Sequence, residues 1–526
     1  MKRLLALILC AAVLLCGCSG ATNALGFSQI VKFEDMEYIR PDVDAVAASA
    51  QNVISAAETE TSVDAVLGAV WDYYDLYTEY ITNSNLAYIR YNADLNDIYW
   101  EDEYNHCAEV GPQYEMYLED IYYALADCDL REELEEEYFG EGYFDSYDNT
   151  ESFYNEELMA ILEQEQELIA RYYELSAESQ ETEYYSEEYF EAYTMPLTQV
   201  LADLIAVRQE LARSAGYGSY PEFAWEYYYY RDYTLEQQNA YLEQIRTELC
   251  PIYLEKLNGE LFAAGEKPCS EKEAFAYVEA AAKHMGGVTE EAFRLLKEAK
   301  LYDLSASRSK STVSFELFIP RYYEPYVFIS GTGTRYDCLT FAHEFGHFVM
   351  DYAAAGSSAG TDVMEIFSQG MEYLSLTAGT DMEGLVDLKL ADCLCTYVEQ
   401  AAYAAFETQM YSLTGDELTA ENLLKLYEEI LTSYGADLAQ WDPRDLITVP
   451  HYYTNPMYII SYVVSNDSAF QLYQMELENP GAGRDCFEKN LETEQYYFLA
   501  FLEEAGLESP FDRIDDVKAW MEERFG

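Results

Sequence analysis

Residues 337–373 read DCLTFAHEFGHFVMDYAAAGSSAGTDVMEIFSQGMEY, and this stretch constrains the fold more than any other. It reads as two helices joined by AAAGSSAGT, a loop short enough to fold the second helix back on the first. On the first helix His343 and His347 are four apart and share a face, with Glu344 beside them. On the second, Glu365 faces the same point, and Glu372, two turns later on that face, can reach one of the histidines from behind. Two neutral imidazoles and one carboxylate leave the fourth position of a tetrahedral zinc ion open to water, the arrangement of a catalytic rather than a structural site. The chain holds only 5 His, and two of them fall at this spacing.

With 526 residues, half of them apolar, the chain can fill a large core and form two or more domains. Its formal net charge is −68, from 98 Asp+Glu against 30 Lys+Arg. That balance excludes nucleic acid as a partner, because phosphates need a basic surface. It suits a solvated acidic exterior, and it can steer cationic peptides. Tyrosine is abundant, 52 residues, often in runs with Glu such as EYYSEEYFEAY. These runs are expected on amphipathic helices with the rings at the core margin, the other reading being aromatics that face substrate.

The first 18 residues read as a processing segment. Lys2 and Arg3 give a positive start, residues 4–15 an apolar run too short to span a bilayer stably, and Leu15-Cys16-Gly17-Cys18 closes it. That ending resembles the lipobox of bacterial lipoproteins, in which cleavage before the last Cys leaves it diacylated. The resemblance implies that residues 1–17 are removed and that Cys18 bears the lipid. Residues 18–30 then tether the body to the membrane, since two or more acyl chains suffice for stable anchoring. An ordinary secretory signal is the other reading, and both carry the chain out of the cytoplasm. Of the 11 Cys, Cys10 and Cys16 leave with the signal; an exported chain can pair some of the eight in the body, but they are too sparse for a disulfide scaffold and form no Cys-x-x-Cys array to hold zinc.

Residues 31–233 carry helical periodicity, as in Leu158, Ile161, Leu162, Leu168, Ile169 and Tyr172. Residues 130–150, acidic and aromatic with several Gly, read as a loop. A second region, 234–526, opens on the capping box of Thr234 with Gln237, and Ser270 with Glu273 forms another. The period then changes to two at Val313, Phe315, Leu317 and Ile319, a turn follows at 320–325, and residues 326–330 continue as strand. This hairpin leads through GTGTRYD into the helix of His343. The strand at 326–331 is expected to be either an edge that pairs with an extended peptide or an edge with no such role. His106 and His284 belong to no constellation, and Cys338 reads as a small buried apolar side chain.

HEFGH followed by EIFSQGMEY resembles the thimet oligopeptidase and oligoendopeptidase F family of zinc peptidases. RQELARSAGYGSY resembles that family's Arg-x-x-x-Ala-x-x-x-Gly-Tyr element, and PHYYTNPMYIISY (450–462) its downstream His-and-Tyr segment. The resemblance covers roughly residues 200–526, with a weaker helical match before them. It implies a mostly α fold, two helical halves around a deep channel, with a small β-sheet next to the His-Glu-x-x-His helix. It further implies His343, His347 and Glu365 as ligands of one Zn2+ per chain, and Glu344 as general base. His451 matches the family His that contacts substrate and the developing oxyanion. Tyr458 and Tyr462 fall where a phenol stabilises the tetrahedral intermediate. Ile459 and Ile460 stand where some members have further Tyr, so the choice of phenol stays open, with Tyr458 preferred.

The expected function is hydrolysis of oligopeptides outside the cytoplasm by a monomeric, lipid-anchored zinc endopeptidase. Two alternatives stand beside it: a peptide-binding lipoprotein that does not cut, and a metallocarboxypeptidase on a related scaffold. The intact set of His343, Glu344, His347 and Glu365 argues against the first, since a binder has no use for a general base.

Overall fold

The computed structural model describes residues 22–525 except 28–29, 149–155, 180–183, 185, 257–258, 357–358, 381 and 436–441. The signal segment 1–17 and Cys18 lie outside the described residues. No helix among those described is long and apolar enough to cross a membrane. Contacts group the chain into two compact units. Unit 1 comprises residues 1–159, 286–332 and 348–357, and unit 2 residues 160–285, 333–347 and 358–526.

Unit 1 is built on three long helices, α1 (Val43–Thr59), α2 (Val63–Ala93) and α3 (Ile98–Ala126). Asp42 and Asp97 cap the first and third, each accepting from two backbone N–H groups of the opening turn. Val46, Val53, Val66, Val70, Ile121 and Leu125 interlock in the core. Tyrosines sit inside this core and not only at its margin. The Tyr73 hydroxyl donates to Tyr114 O at 2.8 Å, and the Tyr74 and Tyr122 hydroxyls meet at 3.0 Å. A buried phenol is tolerated when its O–H has a partner, and that supplies large apolar area at little polar cost. The stretch read as a loop at 130–150 is partly helical. Residues 131–139 form consecutive turns, and Arg131 ties them to Asp145 and Asp148.

The expected hairpin forms, as β2 (Phe315–Ile319) against β3 (Glu324–Phe328), after a short β1 (Tyr302–Asp303). The sheet order is β1-β3-β2, so β3 is the central strand, parallel to β1 and antiparallel to β2. Both readings of 326–331 as an edge strand, with or without peptide addition, are thereby overturned: Val327 N–H is taken by Leu301 O and Ile329 N–H by Asp303 O. The sequence showed one hairpin partner but not the two-residue strand that occupies the other side.

Glu324 opens β3 with no exposed surface; one carboxyl oxygen accepts Val31 N–H at 2.9 Å and the other has no partner. Burial pushes this carboxyl from 4.5 up to about 7, against a small opposing effect of the Val31 N–H. The native state then keeps a proton in the window between those values that the unfolded chain has lost. Stability from this site is full below the window and falls as pH rises through it, by up to about 3 kcal/mol. Glu324→Gln is expected to melt above wild type at pH 8 and level with it at pH 4. A difference in melting temperature that does not change with pH contradicts this.

In unit 2 the helices that carry the site follow in chain order as α4 (Met195–Ser214), α5 (Leu235–Gln244), α6 (Glu271–Met285), α7 (Tyr336–Ala354, in this unit as far as His347), α8 (Thr361–Ser375), α9 (Leu385–Met410) and α10 (Ile460–Glu478). Both capping boxes are present: Thr234 and Gln237 open α5, and Ser270 and Glu273 exchange bonds at the start of α6. The most extensive packing in the unit is α8 against α10, with α9 also on α10. His284 bonds Thr377 Oγ1, His106 in unit 1 bonds Pro41 O, and Cys338 is fully buried, each as a structural residue.

Candidate active site

The site begins with a glycine. A Cβ on Gly346 would lie 2.5 Å from Phe367 O and 2.6 Å from Ser368 Cα, so α7 and α8 touch backbone to backbone in the middle of HEFGH. That approach brings Glu365 under the two histidines. His343 Nε2 lies 3.5 Å from Glu365 Oε2, and His347 Nε2 lies 3.8 Å from Glu365 Oε1. The three residues each offer one ligand atom, all within 4.8 Å of one another, the only such group among the described residues. Two imidazoles and one carboxylate at this spacing fit a zinc ion with an open fourth position.

Glu372 stands where the spacing predicted. His343 Nδ1 lies 2.8 Å from Glu372 Oε1, and since a carboxylate can only accept, Nδ1–H donates; in the neutral imidazole that a metal requires, the lone pair is then on Nε2, toward Glu365. The other Glu372 oxygen is 2.7 Å from Lys389 Nζ, a fully buried ammonium that also meets Asp392 at 2.8 Å and lies over the Tyr373 ring. Lys389 escaped the sequence reading because it comes from α9 and carries no spacing signal. Ser368 Oγ donates to Glu365 Oε2 at 2.8 Å, and Gln369 Nε2 reaches Tyr462 O and Ser465 Oγ. Their place three and four residues after Glu365 was a usable signal, since those positions share its face.

The charge balance favours a cation. Burial alone would strip the proton from His343, but Glu372, Glu365 and Glu344 outweigh it and raise this imidazole to about 9. For His347 burial dominates and the group falls to about 4, the neutral form that binds metal. Glu365 is held below the usual carboxylate range by both imidazoles and by Tyr458 and Ser368, despite its burial. Burial raises the Glu344 carboxyl to about 7.

The second cluster arrives from 451–462. Tyr458 Oη donates to Glu365 Oε1 at 2.5 Å, and Tyr462 Oη lies 3.2 Å from His451 Nε2. The three rings pack on one another with centroids 5.2 to 5.6 Å apart. The candidate site residues of the body therefore lie in one constellation: His343, Glu344, His347, Glu365, Glu372, His451, Tyr458 and Tyr462.

Gly346→Ala forces the two backbones apart, and overpacking of this kind costs about 1–3 kcal/mol. The variant is expected to melt lower than wild type and to bind zinc at least about tenfold more weakly in a chelator competition, the scale seen when ligand support is lost. Unchanged zinc affinity would show that the contact does not set the site.

The family model described as Peptidase M3 N-terminal domain matches residues 33–154, the part where the sequence resemblance was weaker. No curated protein sequence matches the chain. Among solved structures, PZ peptidase A with inhibitor 2 superposes with a TM-score of 0.80 at 20% identity, covering 94% of this chain and 99% of that one. A Bacillus anthracis str. Ames protein provisionally classed as oligoendopeptidase F gives 0.78 at 20% identity, with 95% and 98% covered. An M32 carboxypeptidase from Deinococcus radiodurans R1 is more distant, at 0.52 and 12% identity, with 92% and 97% covered. Residues 33–154 thus match the Peptidase M3 N-terminal domain model, and the chain over nearly its whole length has the fold of PZ peptidase A and of the Bacillus anthracis protein classed with oligoendopeptidase F, the family that HEFGH and its flanking segments resemble.

Proposed function

We propose that this chain is a zinc metallopeptidase that cuts oligopeptides internally, outside the cytoplasm, held to the membrane by a lipid on Cys18. The observation that carries the reading is the convergence of His343, His347 and Glu365 on one point, with Glu344 beside them, Tyr458 bonded to Glu365, and His451 and Tyr462 packed on Tyr458. Zinc at these ligands supplies the Lewis acidity that activates water near neutral pH.

The chain's own residues do the rest. Glu344, on the same helix face as the two histidines, takes the proton of the attacking water and returns it to the leaving amine. Glu372, anchored by Lys389, keeps His343 in the tautomer that turns Nε2 toward Glu365. The His451 imidazole and a tyrosine hydroxyl donate to the oxygen on which negative charge develops. Tyr458 and Tyr462 both stand in the cluster, one bonded to Glu365 and one to His451, so both remain candidates for this phenol.

Mass-spectrometric product analysis of a mixed peptide pool, with zinc content measured in parallel, tests the reading. Wild type is expected to hold one zinc and cleave internal bonds. Glu344→Gln should keep the zinc and lose about 10²–10⁴-fold in kcat, the usual worth of a positioned proton-transfer group. Peptides bound but uncut by both proteins favour the transport lipoprotein, and products shortened only from the C-terminus favour the carboxypeptidase. For the anchor, labelled palmitate is expected in wild type and not in Cys18→Ala expressed in the same cells. Equal labelling, or none in either, contradicts lipidation.

A further inference from the structure

Cations are scarce in this chain, 30 against 98 acids, yet unit 2 buries two arginines completely. Both spend their guanidinium groups on one short stretch of backbone. Arg208, on α4, pairs with Glu165 through Nε at 2.6 Å, then donates from Nη1 to Tyr452 O at 2.7 Å and from Nη2 to Tyr453 O at 2.5 Å. Arg231 donates from Nη1 to Met457 O at 2.9 Å and from Nη2 to Ser461 Oγ at 2.9 Å. Its remaining face pairs with Asp362, Nε to Oδ2 at 3.1 Å and Nη2 to Oδ1 at 3.2 Å. The Arg231 guanidinium is stacked by Trp225 and Tyr229, with its carbon 4.3 and 4.2 Å from their ring centroids. Tyr229 Oη in turn donates to Pro456 O at 2.8 Å, and Met457 N–H is taken by Glu407 Oε1 at 2.6 Å.

The carbonyls of Tyr452, Tyr453, Pro456 and Met457 thus go to side chains from distant elements instead of to a helix or sheet ladder. Met457 sits at φ +69°, a left-handed conformation that costs a non-glycine residue and persists only when its surroundings impose it. This segment lies between His451 on one side and Tyr458 and Tyr462 on the other. The partner of Arg231, Asp362, lies one helical turn before Glu365 on α8. Arg231 therefore bridges the loop that presents the phenols to the helix that presents the metal-site carboxylate.

We propose that Arg231, supported by Arg208 and Tyr229, is a positioning residue that sets the distance between the His451–Tyr458–Tyr462 cluster and Glu365. The Arg231 donors are divided among three elements, Asp362 on α8, Met457 O in the loop and Ser461 on α10, and the Ser461 hydroxyl itself donates to Asp362, so the fork closes a three-way junction. A site held this way tolerates little displacement, because an error of about 1 Å at reacting groups can cost about 10²-fold in rate. This proposal rests on the peptidase reading for its kinetics but not for its geometry.

The test compares Arg231→Lys, Tyr229→Phe and the slower of Tyr458→Phe and Tyr462→Phe, singly and combined with Arg231→Lys. Lysine keeps the charge but cannot form the fork. Arg231→Lys is expected to hold one zinc and melt cooperatively while kcat falls about 10–100-fold at nearly constant KM. The combined variant should be no slower than its slower parent, because the arginine acts through the phenol, and losses that multiply overturn the proposal. Should Arg231→Lys fail to fold, Tyr229→Phe carries the test, since it removes one hydroxyl and is expected to lose about three- to tenfold in kcat for the one bond to Pro456 O. Unchanged kcat in a folded, zinc-loaded variant also overturns it. A crystal structure of Arg231→Lys, or of Tyr229→Phe in its place, reads the clamp without catalysis: Tyr458 Oη should leave Glu365, and an unmoved phenol refutes the clamp. Wild type without zinc or cleavage would overturn the peptidase reading instead, and that crystal structure then decides the clamp alone.

Discussion

The contact of α7 with α8 at Gly346 is the constraint on which the rest of the site depends. Helices in globular proteins are normally kept about 8–10 Å apart by their side chains. Here the residue between Phe345 and His347 has none, and Phe367 O and Ser368 Cα occupy the space a methyl group would need. The spacing of His343 and His347 on one helix sets one edge of the candidate metal site, and this close approach sets the other by bringing Glu365 beneath them. Side chains packed around it, with Ile366, Phe367 and Met371 of α8 buried, hold the approach at a fixed register.

Such a site concentrates charge that a protein interior otherwise rejects. Glu344, Glu365 and Glu372 are all nearly inaccessible, and transfer of bare carboxylates from water costs several kcal/mol each even after relaxation. The structure answers with graded compensation. Lys389 neutralises Glu372 and Ser368 and Tyr458 donate to Glu365. For Glu344 the relief comes from His343, and burial still keeps its carboxyl high. The imidazole nearest the carboxylates is driven toward its charged form, so the electrostatics at His343 favour a positive charge. The same logic runs outward to Asp362, whose charge is met by Arg231, Tyr233 and Ser461.

Much of this was legible because it is local. Helical periodicity placed His343, Glu344, His347, Glu365 and Glu372 correctly on two faces, and the change of period marked the hairpin within a residue or two. The capping boxes at Thr234 and Ser270 formed as read, because a cap involves only four residues of chain. What escaped depends on contacts far apart in sequence. Lys389 reaches Glu372 from another helix, Arg208 meets Tyr452 across |i−j| of 244, and β1, two residues long, has no pattern of its own yet makes β3 a central strand. The turns at 131–139 were read as loop because their composition is that of a loop, and Arg131 holds them through partners that no periodicity reveals. Gly346 stood in plain view within HEFGH, but only the second helix shows what its missing side chain is for.

Zinc K-edge X-ray absorption on the purified full chain tests the central claim most directly. The account predicts one zinc per chain surrounded only by nitrogen and oxygen at about 2.0–2.1 Å, with the multiple-scattering signature of two imidazoles. A sulfur shell at about 2.3 Å, a single imidazole, or zinc bound without stoichiometry would contradict it.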